Sequence, residues 1–120
     1  MPRVLIVDDE PKVCECLKAF LETRGFEVDV AYNGDEALQR MIRQAPDAIL
    51  LDMHLPDISG IDVLKRVKDV CPEARVIMVT ADEDDETRAN AKSYGACGYI
   101  TKPFDFSDLT WLPLLSDRTP

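Results

Sequence analysis

Polar or charged residues directly follow several apolar runs in this chain. The clearest case is Asp52, which comes after the four apolar residues 48–51. The carboxyl ends of adjacent parallel strands lie side by side, so residues that follow such strands are expected to share one crevice at the edge of a sheet. The residues concerned are Asp8 and Asp9 after 4–7, Asp52 after 48–51, Thr80 after 76–79 and Lys102 after 97–101.

Three carboxylates in one crevice need positive charge nearby. Two carboxylates about 4 Å apart repel by roughly 4 kcal/mol at an effective dielectric constant near 20. Lys102 supplies a single positive charge, which does not balance three negative ones. A hard divalent cation with oxygen ligands, Mg²⁺ by preference, would neutralise the remainder and keep water ligands that a phosphate oxygen can replace.

The chemistry that this set of residues favours is transfer of a phosphoryl group to a carboxylate. Asp52 is the predicted nucleophile, Lys102 and Mg²⁺ neutralise the phosphoryl oxygens, and the Thr80 hydroxyl donates a hydrogen bond to one of them. An ionised carboxylate already carries the lone pair that attacks phosphorus. No general base is therefore required.

The strands that must position these residues can be predicted from the apolar runs. Continuous apolar runs at 4–7, 48–51 and 76–79 indicate strands buried on both faces, whereas 26–31 alternates and 97–101 is short, as edge strands are. With helices between them, the strands predict an α/β fold. We expect a doubly wound, five-stranded parallel sheet of flavodoxin-like strand order 2-1-3-4-5, with helices on both faces.

Five helices are expected between and after these strands. Helix one should begin at Pro11 and stop before Gly25, and helix three should end near residue 71. Asn33 with Glu36 three residues later reads as a capping box for helix two, which carries the apolar residues Ala37, Leu38, Met41 and Ile42.

The last two helices are less regular. Helix four, at 82–94, is almost wholly polar apart from alanines and Tyr94, so it should pack weakly. Ser107 can cap a fifth helix, which Pro113 should end or kink. We expect one domain over residues 1–115, followed by a tail or linker at 116–120.

Charge and cysteine usage exclude several classes of function. The 120-residue chain has a formal net charge of -9 and a pI near 4.5, which argues against direct binding of nucleic acid or of an anionic membrane. It shows no apolar leader and no run of membrane-spanning length, which predicts a soluble cytoplasmic protein. Four cysteines without C-x-x-C spacing and a single histidine, His54, argue against zinc and favour reduced thiols.

Four motifs occur together and in a fixed order. They are V-L-I-V-D-D-E at 4–10, L-L-D-M-H-L-P-D-I-S-G at 50–60, V-T-A at 79–81 and G-Y-I-T-K-P at 98–103. With them, the chain from Val4 to about Leu112 resembles a response-regulator receiver domain of two-component signalling.

The resemblance implies a role for each residue of the constellation. Asp52 would be the phosphorylated aspartate, Thr80 and Tyr99 the switch pair, and Lys102 a partner of the phosphoryl group. Mg²⁺ would be held by Asp8, Asp9, Asp52 and the main-chain carbonyl of His54.

The resemblance also implies partners and a mode of action. The donor would be a sensor histidine kinase or a histidine phosphotransfer protein. The protein would be a phosphoacceptor that assists its own phosphorylation and slow dephosphorylation, and would not be an enzyme in the usual sense. Homodimers through helix four, strand five and helix five are characteristic of the family.

Three other interpretations fit part of the pattern. A flavin-binding electron carrier shares the fold, but it needs a phosphate-cradling loop after strand one, where this chain has Asp8-Asp9-Glu10. An aspartate-nucleophile phosphatase would want a carboxylate two residues after Asp52, where His54 stands. An unphosphorylated pseudo-receiver used for docking is disfavoured because the site residues that the family requires are present.

Overall fold

Strands and helices alternate along the whole of the described chain. The computed structural model describes residues 2–81 and 85–102. Its elements are β1 (Arg3–Val7), α1 (Pro11–Thr23), β2 (Glu27–Ala31), α2 (Gly34–Arg43), β3 (Ala48–Asp52), α3 (Gly60–Val70), β4 (Arg75–Thr80), α4 (Asp85–Ser93) and β5 (Gly98–Thr101).

The five strands form one parallel sheet in the order β2-β1-β3-β4-β5, as the sequence predicted. The apolar runs of β1, β3 and β4 are buried and occupy the centre, while β2 and β5 lie at the edges. In the register, Val7 of β1 pairs with Leu51 of β3, and Asp52 pairs with Val79 of β4. The strand ends that carry polar residues are therefore adjacent.

Helices cover both faces of this sheet, which confirms the predicted layering. Successive strand residues point to opposite faces, so Leu5 and Val7 join one core while Val4 and Ile6 join the other. The first core includes residues of α2, α3 and α4, and the second is closed by α1 through Cys14, Leu17 and Leu21.

The predicted helix ends are observed at α1 and α2. Pro11 occupies the first turn of α1, and Gly25, just after the helix, has a φ of +89°, which an L side chain rarely adopts. The amide of Phe26 donates to the Leu21 carbonyl across this turn, as in a Schellman motif. At α2 the Asn33 side chain accepts a hydrogen bond from the Glu36 amide at 2.8 Å.

Two expectations about the helices need correction. Ile42 was predicted to lie on the apolar face of α2, but 73% of it is exposed. Ala37 and Met41 stand one turn apart and take the buried face, and the 100° step from Met41 turns Ile42 away from the sheet. Tyr94 was predicted to lie in helix four as one of its few residues of a buried type, but it follows the last residue of α4 and is 43% exposed. The Lys65 ammonium lies 4.5 Å from its ring centroid.

Smaller differences concern element boundaries. β2 begins at Glu27 and β5 at Gly98, one residue later than expected in each case. α4 spans Asp85–Ser93, with Ala91 as its buried residue, which agrees with a weakly packed helix. Residues 82–84 and the predicted fifth helix with Ser107 and Pro113 lie outside the described residues.

Two further features bear on the sequence expectations. Across residues 2–81 and 85–102, no helix combines the length and apolar character needed to cross a bilayer. The four cysteines are free thiols, with Cys14 and Cys71 buried and Cys16 and Cys97 exposed.

Candidate functional site at the carboxyl edge of the sheet

The polar residues that the described chain buries gather at one edge of the sheet. They are Asp8, Asp52 and Thr80, which are 3%, 5% and 0% exposed. Asp8 directly follows β1, and Asp52 and Thr80 are the last residues of β3 and β4. The backbone amide of Lys102 donates to the Thr80 carbonyl at 2.7 Å, which brings the residue after β5 to the same edge. The predicted convergence is therefore present.

Lys102 lies between the two buried carboxylates. Its Nζ is 2.8 Å from Asp8 Oδ2 and 3.2 Å from Asp52 Oδ2, and it is 3.7 Å from Glu10 Oε1 at the exposed rim. One ammonium thus bridges carboxylates that come from two different strands. Burial opposes its positive charge, but the hydrogen bond to Asp8 and the charges of Asp52 and Asp8 outweigh burial and raise the pKa of Lys102 above 10.5.

Asp52 has a hydrogen-bond donor for each carboxylate oxygen. Oδ1 accepts from the His54 backbone amide at 3.1 Å, and Oδ2 accepts from Lys102. Burial is the largest influence and raises the pKa of Asp52, as does the charge of Asp8. The His54 amide and Lys102 oppose the rise, but the pKa stays above its usual value of 3.8. The buried carboxylate of Asp52 is therefore harder to ionise than an exposed one, and the His54 amide and Lys102 offset part of this cost.

A group of oxygen ligands suited to a cation lies beside this pair. Ligand atoms of Asp8, Asp9 and Glu10 all lie within 4.8 Å of one another. Three carboxylates without nitrogen or sulfur donors fit a hard divalent cation such as Mg²⁺. Within the described residues this group contains Glu10, which was not selected from the sequence, and it does not contain Asp52.

The loop after β3 fixes the main chain of His54. His54 and Ser59 form an isolated antiparallel bridge, and the Gly60 amide donates to the Met53 carbonyl at 2.8 Å. A Cβ at Gly60 would meet the Asp52 carbonyl oxygen and approach the Met53 Cα at 2.7 Å, so only glycine fits there. The His54 ring is exposed, whereas its amide is held against Asp52.

The predicted switch residues lie on neighbouring strands. Thr80 is completely buried at the end of β4, while Tyr99 on β5 is partly buried against the core. The guanidinium carbon of Arg88 on α4 lies 4.8 Å from the Tyr99 ring centroid. A cavity of about 270 Å³ adjoins the ring, and it is lined by Arg88, Ala91, Lys92, Ala96, Cys97, Gly98 and Tyr99.

Three residues near the site were not singled out from the sequence. Glu10 stands in the acidic run of the first motif, so its position was a usable signal. Cys14 donates to the Asp8 carbonyl at 3.3 Å, and burial, with the charge of Asp8, raises the pKa of this thiol to about 12. Asp57 contacts the start of α2, 23 residues earlier in the chain, and no local pattern indicates that contact.

Known proteins share both the sequence and the fold. A family model described as the response regulator receiver domain matches residues 4–112. The transcriptional regulatory protein DltR of Streptococcus agalactiae is 39% identical over 107 residues, which cover 89% of this chain and 48% of DltR. The transcriptional regulatory protein KdpE of Mycobacterium tuberculosis is 39% identical over 108 residues, covering 90% of this chain and 47% of KdpE. The chain thus spans about half the length of these curated relatives.

Solved structures agree with this assignment. A two-component response regulator from Clostridium difficile superposes with a TM-score of 0.92 at 28% identity, covering 98% of each chain. The response regulator TrrA from Thermotoga maritima, solved in complex with Mg²⁺-BeF, gives a TM-score of 0.79 at 38% identity, covering 91% of this chain and 93% of TrrA. The chain belongs to the response regulator receiver domain family of two-component signalling.

Proposed function

We propose that Asp52 is the residue that accepts the phosphoryl group in this receiver domain. The observation that carries the proposal is the placement of its buried carboxylate between the His54 amide and the Lys102 ammonium, at the end of the central strand β3. The donor would be a phosphohistidine of a sensor histidine kinase or phosphotransfer protein, or a small acyl phosphate.

The transfer needs few protein groups. A carboxylate oxygen of Asp52 forms a bond to phosphorus as the bond from phosphorus to the donor's leaving atom breaks, and the electron pair leaves with that atom. Lys102 neutralises charge on a phosphoryl oxygen, and the Thr80 hydroxyl donates to another. Asp52 attacks in its ionised form, and positive charge close to it favours that form.

The acidic residues after β1 are the proposed holders of Mg²⁺. Asp8, Asp9 and Glu10 supply carboxylate oxygens, and we propose that Asp52 and the His54 carbonyl complete the set. When bound, Mg²⁺ supplies the positive charge that lowers the cost of bringing a phosphoryl group to a carboxylate. Asp8 is already in an ion pair with Lys102, so the exposed Asp9 is more available to bind the cation directly.

The proposed response travels from Thr80 to Tyr99. A new anionic acceptor on Asp52 would attract the Thr80 hydroxyl, and Tyr99 would move into the space that Thr80 leaves. α4 has one buried residue, Ala91, so little apolar contact opposes its displacement. The proposed effect of phosphorylation is a switch of the face formed by α4, β5 and the predicted fifth helix, through which a homodimer can also form. The expected compartment is the cytoplasm, with which four free cysteines agree.

The test is phosphorylation of purified protein with acetyl phosphate and Mg²⁺, followed by intact-mass analysis. We expect one phosphate per chain, stable to acid and removed by hydroxylamine, as an acyl phosphate is. Asp52→Asn should abolish it and so should excess EDTA. The matched control is Asp69→Asn, which changes an exposed carboxylate on α3 and should be labelled normally. Equal labelling of Asp52→Asn would reject the assignment.

The described site argues against two of the alternative functions. The loop after β1 carries Asp8-Asp9-Glu10, whose charges oppose the direct phosphate binding that a flavin carrier needs. A docking module without phosphorylation gives no reason to bury Asp52 and Asp8 around one lysine. The phosphoacceptor proposal accounts for both observations.

A further inference from the structure

Asp57 joins the loop after β3 to the beginning of α2. Its Oδ1 accepts a hydrogen bond from the Gly34 amide at 2.8 Å, and its Oδ2 accepts one from the Asp35 amide at 2.9 Å. These amides belong to the first two residues of α2, where backbone N–H groups have no acceptor within the helix. One carboxylate from a distant loop therefore binds both.

α2 has its own cap besides this contact. The Asn33 side chain accepts from the Glu36 amide at 2.8 Å, and the Asn33 carbonyl accepts from the Ala37 amide at 3.1 Å. The two hydrogen bonds to Asp57 lower the pKa of its carboxyl group, as expected when the charged form is the bound form. Asn33 acts on the helix alone, whereas Asp57 connects the helix with the loop.

Packing reinforces the connection. Gly34 is buried, and a Cβ there would meet Ile58 Cγ1, approach Ile58 Cδ1 at 2.7 Å and approach Val63 at 3.1 Å. The residue next to Asp57 thus presses directly on the first residue of α2. At its base the same loop is closed by the His54–Ser59 bridge. The loop is held at its tip by α2 and at its base by its own backbone.

We propose that Asp57 is a positioning residue for the phosphorylation site, acting through the main chain of His54. The His54 amide contacts Asp52, and His54 lies three residues before the tether. This inference rests on the proposed function, in which the His54 carbonyl is a metal ligand. Cutting the tether should let the loop move and should weaken the metal site without removing any group that contacts phosphorus.

The experiment compares Asp57→Ala with Asn33→Ala. Both remove hydrogen bonds from the same end of α2, but Asn33→Ala leaves the loop tethered. Mg²⁺ affinity is measured by titrating Mg²⁺ alone and following backbone amide shifts by NMR, with His54 as the reporter. Asp57→Asn keeps one acceptor oxygen and should be intermediate. It also serves as the second variant if Asp57→Ala does not fold.

We expect Asp57→Ala to raise the Mg²⁺ dissociation constant by about tenfold, the lower end of what loss of an outer support costs a metal site. The Mg²⁺ dissociation constant of Asn33→Ala should stay within about twofold of that of the unaltered protein, because Asp57 still tethers the loop to α2. In acetyl phosphate reactions, Asp57→Ala should need more Mg²⁺ but reach a nearly normal rate at saturation. The His54 amide should exchange its hydrogen faster in Asp57→Ala than in Asn33→Ala.

Equal Mg²⁺ constants in Asp57→Ala and Asn33→Ala would overturn the positioning role, whether both change or neither does. A normal His54 exchange rate in Asp57→Ala would do the same. Failure of the proposed function looks different, because the unaltered protein would then carry no Mg²⁺-dependent phosphate on Asp52. The Mg²⁺ titration itself does not require phosphorylation, so it tests Asp57 in either case.

Discussion

Lys102 is the residue whose removal should disturb the site most. Its ammonium bridges Asp8 and Asp52 at 2.8 and 3.2 Å, and all three side chains are largely shielded from water. Lys102→Met keeps the aliphatic stem and removes the charge. The two carboxylates would then face each other without a cation in the metal-free protein.

The size of the effect can be bounded from these distances. At an effective dielectric constant near 20, the attractions to Asp8 and Asp52 amount to about 6 and 5 kcal/mol. Both oxygens contact the same Nζ and so lie no more than about 6 Å apart, which makes their repulsion at least about 3 kcal/mol. Hydration and protonation of the abandoned carboxylates offset part of this. We therefore expect a loss of about 3 to 5 kcal/mol in the free energy of unfolding at pH 7, as for other broken buried ion pairs.

The pH dependence has a definite sign. The pKa of Lys102 is raised in the folded protein, so its stabilising contribution is complete below pH 10.5 and is lost as the pH rises through the folded pKa. Lys102 therefore does not titrate between pH 5 and 8. In Lys102→Met, however, the pKa of Asp52 loses the lowering influence of the ammonium and rises further, and a carboxyl group with a raised pKa destabilises the fold increasingly as the pH rises. The penalty should be smaller at pH 5 than at pH 8.

The assay is urea unfolding followed by circular dichroism, in EDTA and then in Mg²⁺. A cation that binds only the folded state, at a concentration 100 times its dissociation constant, adds about 2.7 kcal/mol to the free energy of unfolding. In Lys102→Met no ammonium competes with the cation, so Mg²⁺ should stabilise this variant more than it stabilises the unaltered protein. The difference in unfolding free energy between the two proteins should therefore be smaller in Mg²⁺ than in EDTA. The control is Lys18→Met, which removes an exposed lysine of α1. The reasoning would be refuted if Lys102→Met lost no more unfolding free energy than Lys18→Met. It would also be refuted if Mg²⁺ left the difference between Lys102→Met and the unaltered protein unchanged.

Two other predictions concern the carboxylates. Asp52→Asn should be more stable than the unaltered protein at pH 7 in EDTA, because the raised pKa of Asp52 means that folding disfavours its charged form. In thermal melts, this gain in stability should disappear as the pH falls toward 4. Asp9→Ala should weaken Mg²⁺ binding more than Asp8→Ala, because Asp8 is buried against Lys102 while Asp9 is exposed; equal constants in Mg²⁺ titrations would contradict this division.

Much of the fold could be predicted because its signals are local. The doubly buried runs of β1, β3 and β4 are continuous in the sequence, and the parallel arrangement places their carboxyl ends together. Knowledge of where the strands end is then enough to locate Asp8, Asp52 and Thr80 at one edge. The same local rules predicted the Asn33 cap and the turn at Gly25.

The parts that sequence reasoning missed depend on contacts between distant segments. Asp57 reads as an ordinary turn residue until α2 is placed against the loop, since its partners are 22 and 23 residues away. The sequence pattern alone allows Ile42 to lie on the buried face of α2 together with Met41. Only the position of the sheet decides which side of the helix is covered. Glu10 lies beside two predicted ligands, but its ligand atom joins theirs through the geometry of the turn before α1.

Lys102 connects the buried carboxylates of Asp8 and Asp52 with Thr80, one of the two predicted switch residues. Its side chain contacts Asp8 and Asp52, while its backbone amide is bonded to the Thr80 carbonyl at the end of β4. A change of charge on Asp52 alters its attraction for the Lys102 ammonium, and the main chain of Lys102 is anchored beside Thr80. In the function we propose, a phosphoryl group on Asp52 would act on Thr80 in two ways, directly as an acceptor for its hydroxyl and indirectly through Lys102.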